Sequence, residues 1–251
     1  MTKKIQITGF LFLAFAFTAM SQTQDSYEYN SEFTWGINKN SSGGLIGGFV
    51  FKKATRINER IFKTYGLEIM NVKNPQEVRV QSGITGNSFI AGKSNYLYAL
   101  RFQYGRDVVL FTKAPQQGIE IKAVLAAGPS IGIVAPYYIE RLVSNQSFNN
   151  TKSEQYTPYN PDGTVNEDHA IGRILGTGYL FQGLGDSKIQ FGGNIKAGIN
   201  FELGVVKSQV TGFEVGVLVD AYFSEVVLMP KAENRAVFPT FYFTLFYGSR
   251  K

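Results

Sequence analysis

The chain has 251 residues, 44% of them hydrophobic and 14% aromatic, with 21 Phe, 14 Tyr and a formal net charge of +6. It has no cysteine and one histidine, which excludes a disulfide framework, a thiolate metal site, a thiol nucleophile and any site built on two imidazoles. Charged residues reach only 18%, below the roughly 25% of soluble domains, and 27 Gly against 8 Pro exclude collagen-like and Pro-rich disordered chains.

Residues 1–21 carry the three parts of a secretory signal. Lys3 and Lys4 form the basic head, Ile5 to Met20 the apolar run, and Ala19 and Ser21 the small residues that predict cleavage before Gln22. The run is too short for a retained membrane anchor. The mature chain, 22–251, is predicted to be a single domain, and no later stretch has the apolar length of a spanning helix.

That domain alternates with period two. Tyr96, Tyr98, Leu100, Phe102 and Tyr104 share one parity, while Ala99, Arg101, Gln103 and Asp107 share the other. In an extended strand these parities face opposite ways. Ile189, Phe191, Ile195, Ile199 and Phe201 oppose Gln190, Asn194, Lys196, Asn200 and Glu202 in the same manner. Phe213, Val215, Val217 and Val219 oppose Glu214 and Asp220, and the stretch 119–133 carries Glu120 and Lys122 on its polar parity. Strands are predicted near 32–39, 43–53, 60–73, 94–112, 118–134, 187–205, 209–224 and 236–248. Gly43-Gly44 and Gly47-Gly48 fall inside the second, where glycine permits the bend of a narrow wall.

A soluble β-sandwich also alternates, but its strands are short and its outer face holds Thr, Lys and Glu. Here the apolar parity carries rows of Tyr and Phe, and the polar parity carries Gly, Asn and isolated charges. That inversion predicts an all-β fold, a transmembrane antiparallel up-and-down β-barrel whose outside meets lipid. An open sheet would leave backbone groups unsatisfied in a bilayer. Eight strands leave three short connections on one side (54–59, 113–117, 206–208). On the other side lie 40–42, 74–93, 135–186 and 225–235, three of them long, as expected for periplasmic turns and external loops. Ten strands result instead if 136–143 and 171–182 form a further hairpin in the wall.

The export signal, the aromatic-faced strands, the dominant external loop 135–186 and the closing strand Phe241-Tyr242-Phe243-Thr244-Leu245-Phe246-Tyr247 resemble the small outer-membrane β-barrel proteins of the OmpX and PorT-like type. The resemblance is architectural and covers the mature chain. The C-terminus departs from it, because Gly248-Ser249-Arg250-Lys251 follow the last aromatic residue.

Two residue sets follow from parity. Inward are Glu68, Arg101, Glu120, Lys122, Lys196, Glu202 and Glu214, joined by Asp107 and Asp220, with both signs able to neutralise each other and fill a narrow lumen. Outward, toward lipid, are the aromatics Tyr96, Tyr98, Phe102, Tyr104, Phe191, Phe201 and Phe213. Catalytic, cofactor-binding and metal-binding residues are all expected to be none. His169 is similar in placement to the rim histidines of lipid A-modifying barrel enzymes. With no serine beside it, it reads as an exposed loop histidine. Asn160, Asp162, Asn166 and Asp168 lack the spacing of a calcium loop, and Asn160-Pro161-Asp162-Gly163 predicts a tight turn. The polar run Ser144 to Ser153 has little to bury and predicts a mobile tip.

These readings favour a non-enzymatic, monomeric barrel with a structural or surface-interaction role. Its partners would be outer-membrane lipid and an envelope or secretion-complex protein, with no cofactor. Basic residues are not clustered as in a nucleic-acid site. A small passive channel and a lipid-modifying enzyme using His169 are the alternatives.

Overall fold

The computed structural model describes residues 29–43, 47–112, 118–143, 150–179, 181–203 and 208–251. The expected export signal 1–21 and most of the polar run 144–153 lie outside these residues. In chain order the strands are β1 Ser31–Asn40, β2 Gly48–Arg56, β3 Ile61–Val72, β4 Arg79–Gln81, β5 Ser88–Ile90, β6 Asn95–Phe111 and β7 Glu120–Pro136. There follow β8 Tyr138–Leu142, β9 Thr151–Gln155, β10 Ile174–Thr177, β11 Lys188–Glu202, β12 Gln209–Val226 and β13 Arg235–Arg250.

Eight of them close a barrel in the order β1-β2-β3-β6-β7-β11-β12-β13. All its pairings are antiparallel, and the ring shuts where Glu32 faces Arg250 and Asn40 faces Tyr242. Closure leaves no barrel strand with an unpaired edge. The ten-stranded alternative fails: β8 pairs with β9 and β10, and none of the three joins the wall. Three sequence-based boundaries also shift. β2 starts at Gly48, so Gly43 belongs to the turn after β1. β10 ends at Thr177, short of the 182 expected for that hairpin arm, and β13 runs on to Arg250, two residues past the expected end at 248.

The long connections gather at one end and fold. The β4–β5 hairpin and the β8-β9-β10 sheet enclose a second core of Phe89, Ile90, Tyr137, Ile139, Tyr156 and Ile174. Burying each such side chain contributes about 1.5–3 kcal/mol, which is why this region is a folded cap and not a loose loop. The expected mobile tip does not extend to Thr151–Ser153: these residues bury little, as expected, yet add β9 to β8, with Arg141 facing Lys152 and Leu142 facing Thr151. The predicted turn at Asn160 is present. Gly163 donates its N–H to Asn160 O at 2.9 Å and adopts φ of 82°, a left-handed conformation natural to glycine.

Candidate functional site: a filled lumen under a folded cap

Even-numbered residues of β1, β2, β3, β11, β12 and β13 and odd-numbered residues of β6 point inward, together with Glu120 and Lys122 of β7. Midway along the barrel, Arg101 spans Asp220, with Nη2 at 2.5 Å, and Glu68, with Nη1 at 3.1 Å; neither acid is exposed. Lys196 continues from Glu68 (2.7 Å) to Glu214 (2.9 Å), and Lys52 from Glu214 (3.1 Å) to Asp107 (2.9 Å). Sign alternates at every step, so each buried charge has an opposite neighbour, as burial requires. Tyr242 donates to Glu214 at 2.9 Å. Its ring has room because Gly198 and Gly216 face each other across β11 and β12, where a side chain at either would strike the Tyr242 hydroxyl.

A second cluster sits nearer the short turns. Lys122 lies 3.3 Å from Glu32 and 3.1 Å from Glu120, and Arg250 pairs with Glu32 at 3.1 Å and with Glu202. Apolar layers close both ends. Val50, Met70, Val72, Leu97, Val134 and Phe238 pack with their neighbours under the cap, while Tyr29, Ala54, Phe62 and Val109 pack at the turn end. Between Lys52, Gln103, Lys196 and Glu214 remains a void of about 20 Å³, room for about one water.

The structure therefore places Glu68, Arg101, Glu120, Lys122, Lys196, Glu202 and Glu214 inside, joined by ion pairs. Sequence reasoning missed Glu32, Lys52 and Arg250. Parity held the signal for the first two, since Phe33, Trp35, Phe49 and Phe51 mark the outward face of β1 and β2. Arg250 was hidden because it lies beyond the expected strand end at 248. Phe102, Tyr104 and Phe191 stand exposed on the outer wall, with Tyr98, Phe201 and Phe213 on the same face but half-covered by neighbours. Tyr96 differs from the rest. It packs edge-on against Tyr137, with ring centroids 5.2 Å apart, and lies under Lys93 Nζ at 4.5 Å, so it supports the cap.

His169 is a further correction, being buried rather than exposed. The Thr157 N–H can only donate, and it reaches His169 Nδ1 at 3.0 Å. Nδ1 also lies 3.0 Å from the Thr157 carbonyl oxygen, and Nε2 lies 2.9 Å from Glu154 Oε1. Thr157 Oγ1 is 2.9 Å from Nδ1, giving carboxylate, imidazole and hydroxyl in sequence. Both ring nitrogens are engaged by the protein, Nδ1 with the Thr157 main chain and Nε2 with Glu154, so the imidazole fastens the segment 156–169 to β9. Asn166 caps the single turn that carries His169 by accepting from the Asp168 N–H. Among the described residues no three acidic or histidine side chains converge as metal ligands.

Burial alone would raise the Glu154 carboxyl, but hydrogen bonds from Lys152, Arg141 and His169 hold it at about 2. A lowered folded value means stability present above the ordinary carboxylate range and lost as pH falls from about 4.5 toward 2. The cap of the wild type is therefore expected to lose protease resistance across that window. Glu154→Gln removes the pH-dependent part, and limited proteolysis at stepped pH reads both.

No family model and no curated protein matches this chain. Among solved structures, it is similar to the attachment invasion locus protein Ail of Yersinia pestis at 10% identity and TM-score 0.37, covering 89% of this chain and 99% of that one. Ail in complex with the heparin analogue sucrose octasulfate gives 11% identity and the same TM-score and coverage. Neisserial surface protein A gives 11% identity and TM-score 0.38, covering 91% of this chain and 100% of that one.

Proposed function

We propose that this chain is exported by residues 1–21 and works as a monomeric, non-conducting and non-enzymatic outer-membrane barrel. Its filled wall is a rigid platform that holds the folded cap toward a surface partner, such as an envelope or secretion-complex protein. The carrying observation is the division of charge in the wall. Ionic side chains fill the interior, whereas the outward face of the described barrel strands is charged only toward its ends. Those charges are Lys53, Lys63 and Arg106 on the turn side and Lys39, Glu225 and Arg235 on the cap side. Between them run Trp35, Ile37, Leu67, Phe102, Leu125, Ile195, Val217 and Phe243, a lipid-facing band.

Within the cap, Tyr179 and Phe181 are 74% and 60% exposed, outside that band. Phe181 adopts φ of 63°, which costs free energy for a bulky side chain. The neighbouring Gln182 Oε1 accepts from the Tyr179 N–H at 2.9 Å, and Gln182 Nε2 donates to Ser153 at 3.0 Å, fixing the turn. Exposed aromatic side chains on a braced turn are the usual anchors of protein recognition.

The natural chain has no cysteine, so single introduced thiols report topology. In whole cells, Phe181→Cys is expected to react with a membrane-impermeant maleimide and Asn58→Cys, in a short turn, to be protected. A photo-crosslinking residue at 181 should trap a discrete partner that one at the lipid-facing Phe223 does not. The reverse labelling pattern contradicts the orientation, and equal trapping at both positions contradicts the cap as the binding element.

A further inference from the structure

The outward cations on the turn side form one group across three adjacent strands. Lys63 of β3 stands directly opposite Arg106 of β6, and two register positions toward the barrel's middle Tyr65 stands opposite Tyr104. Lys53 of β2 is opposite Tyr65 and diagonal to Lys63. The tyrosine rings lie 5.3 Å apart. Arg106 donates to the Tyr104 hydroxyl at 2.9 Å with its guanidinium 5.0 Å from that ring, and Lys63 Nζ sits 5.5 Å from the Tyr65 ring. Among the described residues no carboxylate pairs with Lys53, Lys63 or Arg106.

Like charges directly opposite on one face of a sheet repel and destabilise the pair. The wall pairs its interior charges throughout but leaves this contact uncompensated. The missing charge must come from the surroundings, and the surroundings of this face are the bilayer. Tyrosines mark the level where acyl chain gives way to headgroup, so Lys63 and Arg106 just beyond them, with Lys53 level with Tyr65, stand within reach of lipid phosphates. We propose that Lys53, Lys63 and Arg106 form a binding site for the phosphate headgroup of an anionic glycerophospholipid in the turn-side leaflet, its acyl chains lying along Tyr65 and Tyr104. The site rests on the membrane reading above.

Trp35 is the only tryptophan and reports this site directly. It faces outward opposite Phe51, two residues along β2 from Lys53. The full chain is reconstituted in phosphatidylcholine vesicles, and Trp35 quenching is measured with a small fraction of brominated phosphatidylglycerol or brominated phosphatidylcholine. The expected result is about fivefold preference for the anionic lipid, the factor that one well-placed Lys or Arg contributes at a membrane surface. The variant Lys53→Gln, Lys63→Gln, Arg106→Gln should lose this preference while brominated phosphatidylcholine quenches it as in the wild type. That second reading shows that the variant is still folded and embedded. The cap-side variant Lys39→Gln, Arg235→Gln should keep the preference.

Equal quenching of the wild type by both lipids would overturn the proposal, as would a preference that survives in the triple variant. A preference erased by inorganic phosphate would make the occupant a free anion and also overturn it. Absence of quenching by either lipid would instead remove the membrane reading on which the site depends.

Discussion

Replacing Arg101 by methionine is expected to destabilise the barrel by about 3–5 kcal/mol, the cost of leaving buried charge unpaired. Arg101 is the central link of the lumen. Asp220 would keep only the Ser130 hydroxyl at 3.0 Å, while Glu68 would still hold Lys196 at 2.7 Å. The orphaned charge is therefore chiefly Asp220. Combining Arg101→Met with Asp220→Asn should recover most of the loss, since removing both charged partners of a buried pair is often nearly neutral. Urea titration in vesicles, followed by the gel mobility of folded against unfolded chain, measures the series. A loss as large in the double variant as in the single one would mean that the cost comes from lost packing and not from unpaired charge.

Phe102→Arg should cost about 2–4 kcal/mol, because it places a charge on the lipid face near mid-barrel, whereas the same change at Val237, near the cap end of the wall, should cost about 0–1 kcal/mol. Both positions are outward and comparably exposed, at 42% and 47%. A soluble barrel would tolerate the two alike. Depth dependence is the signature of a bilayer, and equal costs would contradict it.

Period-two alternation was enough to read the wall from the sequence, since strand parity, strand number and the sides of the connections all follow from it. The lumen was legible wherever a charge stood among outward aromatics, as at Arg101, Lys196 and Glu214. Arg250 was not, because a strand's end has no local marker once hydrogen bonding around the ring holds it in place. The cap was the least legible part. Its core joins Phe89, Tyr137, Tyr156 and Ile174 from segments far apart in the chain, and its strands are 3 to 5 residues long. Such short elements give no periodic signal, and the burial of His169 depends on Glu154 and Thr157, which approach only when β9 pairs with β8.

The central claim is that the interior is closed by its own side chains and that function lies outside it. Planar-bilayer recording of the full-length wild type tests this most directly. Apolar layers at both ends and a void sized for about one water predict no discrete current steps above the bare bilayer at moderate voltage. Reproducible single-channel openings from the wild type, altered by Lys52→Met or Lys196→Met, would show the lumen to be a conducting path and contradict the account.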